Sequence, residues 1–464
     1  MTSDQIEEID ASEDETEDDY ALRNRVVNAA IEATEAGDRV ALAQVLEPLH
    51  AADIADLLEQ VDGDDRVAML RLAGDLIDGD ILSEIDDDIR DEVVEALEPT
   101  VLADAVRELE SDDVVDILED LDEPQHKAIL DALDVVDRIA VEQALSYPEF
   151  SAGRLMQREA VIAPEHWTVG DSIDHLRAHD DLPEEFYHVI LVDPRHQPTA
   201  FVALGRLLAS RRDVPLKDIT EEEFRTFDVI EDEGDVAYAF NQYHLITAPV
   251  IEEDGRLVGV ITIDDAMAVL DEEHEEDVLR LGGVGDESLS NSTMEIVKRR
   301  FPWLGVNLAT AILASLVISY FEDVIEAVVA LAVLMPIVAS MGGNAGTQSM
   351  TVSVRALATR DLTGSNAWRV IRRESLAGLL NGGLFAVIMG IVGVLWFGSP
   401  LIGVVIAVAM VVNLSVAGLS GVLVPLALDK AGVDPALAAG TFVTTVTDVV
   451  GFFAFLGLAS MVLL

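Results

Sequence analysis

The apolar positions change period along the chain. Up to about residue 150 they recur every three or four places. Ala52-Asp-Ile-Ala-Asp-Leu-Leu-Glu-Gln-Val61 and Asp112-Asp-Val-Val-Asp-Ile-Leu-Glu-Asp-Leu121 share one pattern sixty residues apart, and each leads into a second such stretch, Val67–Ala73 and Ala128–Leu133. Repeated short amphipathic helices predict an α-superhelical array over 21–150. Alternation then replaces the helical period in Tyr187–Asp193 and Thr199–Leu204, and again in Ala248–Ile251 and Leu257–Ile263, with Glu252-Glu-Asp-Gly255 as a hairpin turn. Helical stretches surround each strand pair, which predicts two α+β modules at 151–215 and 216–277. A helix is expected from about Asp264 to Leu281, opening a connecting region over 264–297.

From Phe301 the pattern becomes long apolar runs. Five are long enough to span a bilayer, which takes about 20 residues: Phe301–Phe321, Ile325–Gly343, Leu376–Phe397, Leu401–Leu428 and Pro435–Leu464. The predicted membrane domain is 298–464. Basic residues favour the cytoplasmic connections. Lys298-Arg-Arg300 precedes the first run, Arg355 to Arg373 fill the second connection and Lys430 lies in the fourth, whereas Glu322-Asp323 and Gly398-Ser-Pro400 contain no basic residue. The expected arrangement is a multi-pass protein of the cell (plasma or inner) membrane, with cytoplasmic N-terminal domains and Leu464 outside.

Charge sharpens the division. Of 87 acidic and 29 basic residues, eight and six lie beyond Arg300, so the first 300 residues carry a net charge of −56 out of −58. Nucleic acid and anionic lipid are poor partners for such a field. Lysine is scarce and aromatics are 5%, a balance that suggests the acidic habit of salt-adapted organisms, so a cluster of acids is by itself weak evidence of a site. The absence of cysteine excludes disulfides and thiolate metal sites. The N-terminus has neither the basic flank nor the apolar core of a signal peptide, and residues 1–20 are expected to be a disordered acidic tail.

Two features of the apolar half carry chemistry. Asp448 is the only charge between Pro435 and Leu464. A carboxylate at mid-membrane depth costs roughly 2.5–3.5 kcal/mol even on the lenient insertion scale, and such acids normally face a bundle interior or an ion path. The second run reads Leu334-Met-Pro-Ile-Val-Ala-Ser-Met-Gly-Gly-Asn-Ala-Gly-Thr-Gln348. Pro336 with Gly342, Gly343 and Gly346 fits a kinked helix packed through small residues, and Asn344 with Gln348 fits a broken helix lining a cavity. Both readings stand on local grounds.

Pro336, Gly342-Gly-Asn-Ala-Gly-Thr-Gln348, Arg355-Ala-Leu-Ala-Thr-Arg-Asp361, Gly432-Val-Asp-Pro-Ala-Leu437 and Thr447-Asp-Val-Val-Gly451 together resemble the MgtE family of magnesium channels, and the resemblance extends over essentially the whole chain. It implies an α-superhelical N domain, tandem CBS domains, a linking plug helix and a five-helix transmembrane domain, assembled as a homodimer in the lipid bilayer. Asp448 would be the pore's cation site, with Asn344 and Gly451 near the axis. Mg2+ would be both substrate and regulator. Its regulatory ligands would come from Asp265, Glu273, Glu276 and Asp277 of the plug helix, from Asp112, Asp113 and Asp116 of the N domain, and from Glu374 and Asp434 of the membrane domain. Ala268, Gly234 and His244 stand where acids are expected, and Gly440 and Thr441 where the family often has a polar amide and a proline. In the second CBS module Gly259, Thr262 and Asp265 fit a nucleotide pattern for ATP, whereas the first has Gly205-Arg206 at the matching place.

Three functions remain on these grounds: a magnesium-gated channel, a coupled divalent-cation exchanger, or a nucleotide-sensing membrane protein without transport. No nucleophile, phosphate loop or catalytic dyad points to an enzyme. His175 and His179 are spaced like a zinc-binding pair, but no third ligand is evident.

Overall fold

Short helices open at Arg39, Ala51 and Gly63, and again at Asp87, Pro99, Ser111, Glu123 and Val135, in steps of twelve residues. Acidic side chains start several of them. Asp38 accepts from the backbone N–H groups of Val40 and Ala41, Asp62 from Asp65, Asp78 from Ile81, and Asp134 from Val136 and Asp137. A carboxylate at this place satisfies orphan donors and faces the positive end of the helix, so part of the chain's acidity is structural. The computed structural model describes residues 22–464 except 23, 108, 120, 122, 180, 181, 184, 185, 222, 223 and 285–292. The expected tail at 1–20 and part of the connecting region therefore lie outside the described residues.

The helical array has one continuous apolar core, running from Ala30 through Leu57, Leu82, Val93 and Ile117 to Val141. Two buried arginines mark its repeat. Arg66 donates to the carbonyls of Leu58 and Val61 and pairs with Glu92. Arg90, 24 residues on, donates to the Ile85 carbonyl at 3.1 Å and pairs with Asp116 at 2.9 Å. A buried guanidinium needs both a carboxylate and carbonyl acceptors. The repeat unit is thus a helix pair of 24 residues, and the sixty-residue echo in the sequence is five of its single-helix steps.

Each α+β module holds a three-stranded sheet. In the first, β1 (Ile162–Pro164) runs parallel to β2 (His188–Val192), which pairs antiparallel with β3 (Pro198–Ala203); in the second, β4 (Phe227–Asp228), β5 (Thr247–Ile251) and β6 (Leu257–Thr262) repeat that order. The segment at the expected start of the first module, at 151, packs away from the first sheet. Ala152 and Met156 lie in the second module's core with Phe227, Val236, Val250 and Ile261, and the Gln157 backbone bridges to Val260. The chain crosses the second module before it builds the first.

Contacts divide the chain into two compact units, one ending at Glu273 and one running from His274 to Leu464. Among its described residues the second contains five helices long and apolar enough to cross a membrane: Ile296–Tyr320, Ala330–Ala358, Ala367–Phe397, Pro400–Lys430 and Pro435–Leu463. Called here the first to fifth spans, they differ in enclosure: the fourth is the most buried and the first almost wholly exposed. Third and fourth spans meet backbone to backbone, since a Cβ on Gly378 would stand 2.5 Å from the Leu414 carbonyl oxygen. Small residues permit this approach where lipid supplies no hydrophobic drive for helix association.

Candidate ion pathway and acidic cluster

The second span is one unbroken helix from Ala330 to Ala358 with Pro336 inside it. Of the two local readings, the broken helix is overturned, and the span ends fifteen residues later than Gly343. Packing accounts for the glycines. A Cβ on Gly342 would stand 2.3 Å from the Asn413 amide, and one on Gly346 would stand 2.6 Å from Val443. They are contact points for the fourth and fifth spans.

One face of this helix is polar and exposed. Ser340, Asn344, Thr347, Gln348, Thr351 and Arg355 follow at three- and four-residue spacing, all exposed, while Ser349 and Ser353 on the other side are buried. Asn344 donates to Ser340 Oγ at 3.3 Å within the same helix. The fifth span lies alongside, with Thr444 beside Gly343 and Thr447 beside Gly346. Asp448 follows Thr447 and is half-buried. Among the described residues no side chain donates a hydrogen bond to it. Gly451 is buried, and a Cβ there would stand 2.9 Å from the Asn413 amide. Its place is against the fourth span.

Asn413 is the residue that sequence reasoning missed. It is fully buried at the middle of the fourth span and donates from Nδ2 to the Val338 carbonyl at 2.7 Å. Its signal was legible as the one amide in a 31-residue apolar helix.

In the unit ending at Glu273, Asp112, Asp113, Glu110 and Asp265 crowd together. Burial pushes Glu110 up to about 7, with Glu159 and Asp113 adding to it. Burial, then Asp265 and Asp116, raises Asp113 to about 7. Asp265 rises to about 6, chiefly by burial and against the Thr262 hydrogen bond. Asp112, the most deeply buried, is held well above the carboxylate range by burial and by Asp265. Like charges in a low-dielectric place favour the protonated form, and a cation among them would relieve the same repulsion. Among the described residues no three metal-binding side chains converge closely enough to hold an ion unaided.

Several expected ligands have other partners. Asp116 is paired with Arg90. Glu276 meets Arg280 at 2.6 Å. Glu374 accepts from Ser349 Oγ at 3.1 Å and pairs with Arg373 at 3.2 Å. Asp434 caps the fifth span by accepting from Ala436 N at 2.7 Å. Asp277 is raised by burial and then by Asp434. Gly234, where an acid was expected, abuts Glu273, and the acid stands one place earlier. Burial, then Glu272, Glu119, Asp232 and Glu273, pushes Glu233 up to about 7.

The residues of the nucleotide pattern make close contacts of their own. A Cβ on Gly259 would stand 2.6 Å from the Gln157 carbonyl oxygen, and Thr262 Oγ1 donates to Asp265 Oδ2 at 2.5 Å, capping the acidic helix Ile263–Leu281. The His175 and His179 rings lie 4.0 Å apart at a tilt of 46°, with Trp167 edge-on to His175.

Comparison with known proteins covers most of the chain. The family described as "Divalent cation transporter", MgtE, matches residues 335–458; the "MgtE intracellular N domain" matches 49–150, and the CBS domain 216–272. A magnesium transporter MgtE of Thermus thermophilus is 33% identical over 439 residues, 93% of this chain and 97% of that protein. One of Bacillus subtilis is 31% identical over 332 residues, 71% of this chain and 74% of that protein. The crystal structure of the cytosolic domain of the Mg2+ channel MgtE in complex with ATP aligns with a TM-score of 0.48 at 29% identity, over 52% of this chain and 99% of that one.

Proposed function

The chain belongs to the MgtE family of divalent cation transporters, and we propose that it is a homodimeric channel that admits Mg2+ to the cytoplasm and is closed by Mg2+ on its acidic domains. One observation carries this reading: the polar stripe from Ser340 to Arg355 is exposed along a membrane span, beside an Asp448 that has no hydrogen-bond donor among the described residues. Exposed amides and hydroxyls are costly against lipid, so such a face belongs against protein or water. A second copy related by a twofold axis would cover the stripe and bring two Asp448 carboxylates to one axis.

The chemistry suits a hard, strongly hydrated ion. Mg2+ dehydrates reluctantly and keeps several of its waters, so one or two carboxylates with hydroxyls and amides around them can hold it through those waters. Asn344 on the exposed stripe and Thr444, one turn before Asp448, supply such groups. Arg355, Arg369, Arg372, Arg373 and Lys430 favour the cytoplasm, which puts the helical array and CBS domains inside and Leu464 outside. Gating follows from charge: without Mg2+ the crowded acids repel and release the acidic helix, and bound ions bridge them and close the pore. This couples two sites through one bistable element.

Mg2+ uptake into proteoliposomes tests the reading. Asp448→Asn is expected to lose at least about tenfold of the flux, the weight of roughly 1.4 kcal/mol in a barrier, while folding and inserting like the parent. If the variant conducts like the parent, the pore assignment falls. Parent flux that requires an opposing Na+ or H+ gradient would identify a coupled exchanger instead.

A further inference from the structure

Asn413 sits behind the ion pathway. It is the fourteenth of the 31 residues in the fourth span, and Asp448 is the fourteenth of 29 in the fifth, so both lie near mid-membrane. The amide fills a notch that two helices vacate for it. A Cβ on Gly342 would stand 2.3 Å from Nδ2, and one on Gly451 would stand 2.9 Å from the amide. Gly342 is two residues before Asn344, and Gly451 is three residues after Asp448. One buried side chain therefore meets both helices that carry the pathway's polar groups.

The choice of an amide is costly. Nδ2 is satisfied by the Val338 carbonyl at 2.7 Å, but Oδ1 is buried and accepts no hydrogen bond among the described residues. An unsatisfied buried acceptor gives up its hydration for nothing, and a leucine of similar size would avoid that cost. A group held against its own desolvation is a candidate for a geometric role. The Nδ2 bond fixes the fourth span to the second at one carbonyl, while the amide's bulk sets how closely the fifth can approach.

Resting on the channel reading above, we infer that Asn413 is a positioning residue for ion selectivity: a wedge that sets the separation of the second and fifth spans beside Asp448. A site that holds a hydrated ion through its waters discriminates by aperture and by the placement of its polar groups. A helix shift of a fraction of an ångström at Gly342 or Gly451 moves Asn344 relative to Asp448. The wedge does not touch the ion.

The test uses the full-length protein in liposomes and reads two quantities. The first is the ratio of Mg2+ to Ca2+ flux. Asn413→Leu is expected to change it by about tenfold, as small misplacements of reacting groups do. Gly451→Ala, which thrusts a methyl into the amide, is expected to change it too, and adding Asn413→Ala to Gly451→Ala is expected to bring the ratio back toward the parent. A merely structural role would lower the amount of folded protein without this mutual rescue. The second quantity needs no flux. The chain has no cysteine, and a Cβ on Gly343 would stand 3.7 Å from Thr444 Cγ2. Gly343→Cys with Thr444→Cys therefore reports the separation of the two spans by its rate of disulfide formation. That rate is expected to change with Asn413→Leu and to recover in the Gly451→Ala/Asn413→Ala pair. Should Asn413→Leu not insert, the alanine variants decide. An unchanged flux ratio and cross-linking rate, or a double variant no better than Gly451→Ala, overturns the wedge. If the Gly343→Cys/Thr444→Cys protein cross-links normally yet the parent passes no Mg2+, it is the channel reading that fails, and the cross-linking rates still decide the wedge.

Discussion

Arg280 Nη1 stands 3.6 Å from Asp434 Oδ2, fastening the end of the acidic helix to the cap of the span that carries Asp448. The same guanidinium holds Glu276, and Leu281 packs against the cluster of Met350, Val354, Ala436, Ala439 and Val443. Asp434 thus receives the charge of an arginine at a place where a regulatory ion was expected. Part of the cation requirement at this junction is met by the protein itself.

Replacing that charge should loosen closure without unfolding the protein. A partly exposed ion pair contributes about 0–1 kcal/mol, so Arg280→Gln is expected to raise residual Mg2+ flux at saturating internal Mg2+ by a few-fold at most. Its melting temperature should match the parent's. Equal residual flux in parent and variant would show that the pair is passive.

In the proposed gating scheme the acids of the helix are expected to set the response to Mg2+. Glu273→Ala, Glu276→Ala and Asp277→Ala together are expected to leave the channel conducting at internal Mg2+ that shuts the parent, with the change larger than for Arg280→Gln alone. Flux titrated against internal Mg2+ reads this directly, and closure at the parent's concentration would sink the gating scheme.

Glu110, Asp113 and Asp265 protonate near 7, 7 and 6 in the folded protein, all raised mainly by burial, against about 4 in an unfolded chain. Between about pH 4 and 7 the native state therefore binds more protons than the unfolded one, and stability falls as pH rises through that window. In divalent-free buffer the melting temperature of the cytoplasmic transition is expected to be lower at pH 8 than at pH 5.5. Added Mg2+ should raise it at pH 8 and have much less effect at pH 5.5. Asp113→Asn should flatten the pH dependence. A flat parent profile would show that these carboxylates do not act as a cluster.

Much of this organisation is local and so is readable along the chain. Span length follows from runs of apolar residues, and strand pairs follow from alternation, because each depends on residues within a turn or a hairpin of one another. Local pattern is silent where a distant segment decides. Whether Gly342-Gly-Asn-Ala-Gly346 breaks a helix depends on Asn413 and Val443, which are about 70 and 100 residues away in sequence. Whether Asp116 is available to an ion depends on Arg90, and whether Gly259 serves a nucleotide depends on Met156 and Gln157.

The sequence by itself determined the five spans, the paired modules, the acidity of the cytoplasmic half and the isolation of Asp448, since these are properties of composition and period. Tertiary structure alone decided which acids are partnered, where the first module's leading segment packs, that the second span is continuous, and that Asn413 lies against both Gly342 and Gly451. The reason is physical: apolar burial is set by a residue's own chemistry and its near neighbours, whereas the partner of a buried polar group is whichever distant segment the fold brings within about 3 Å.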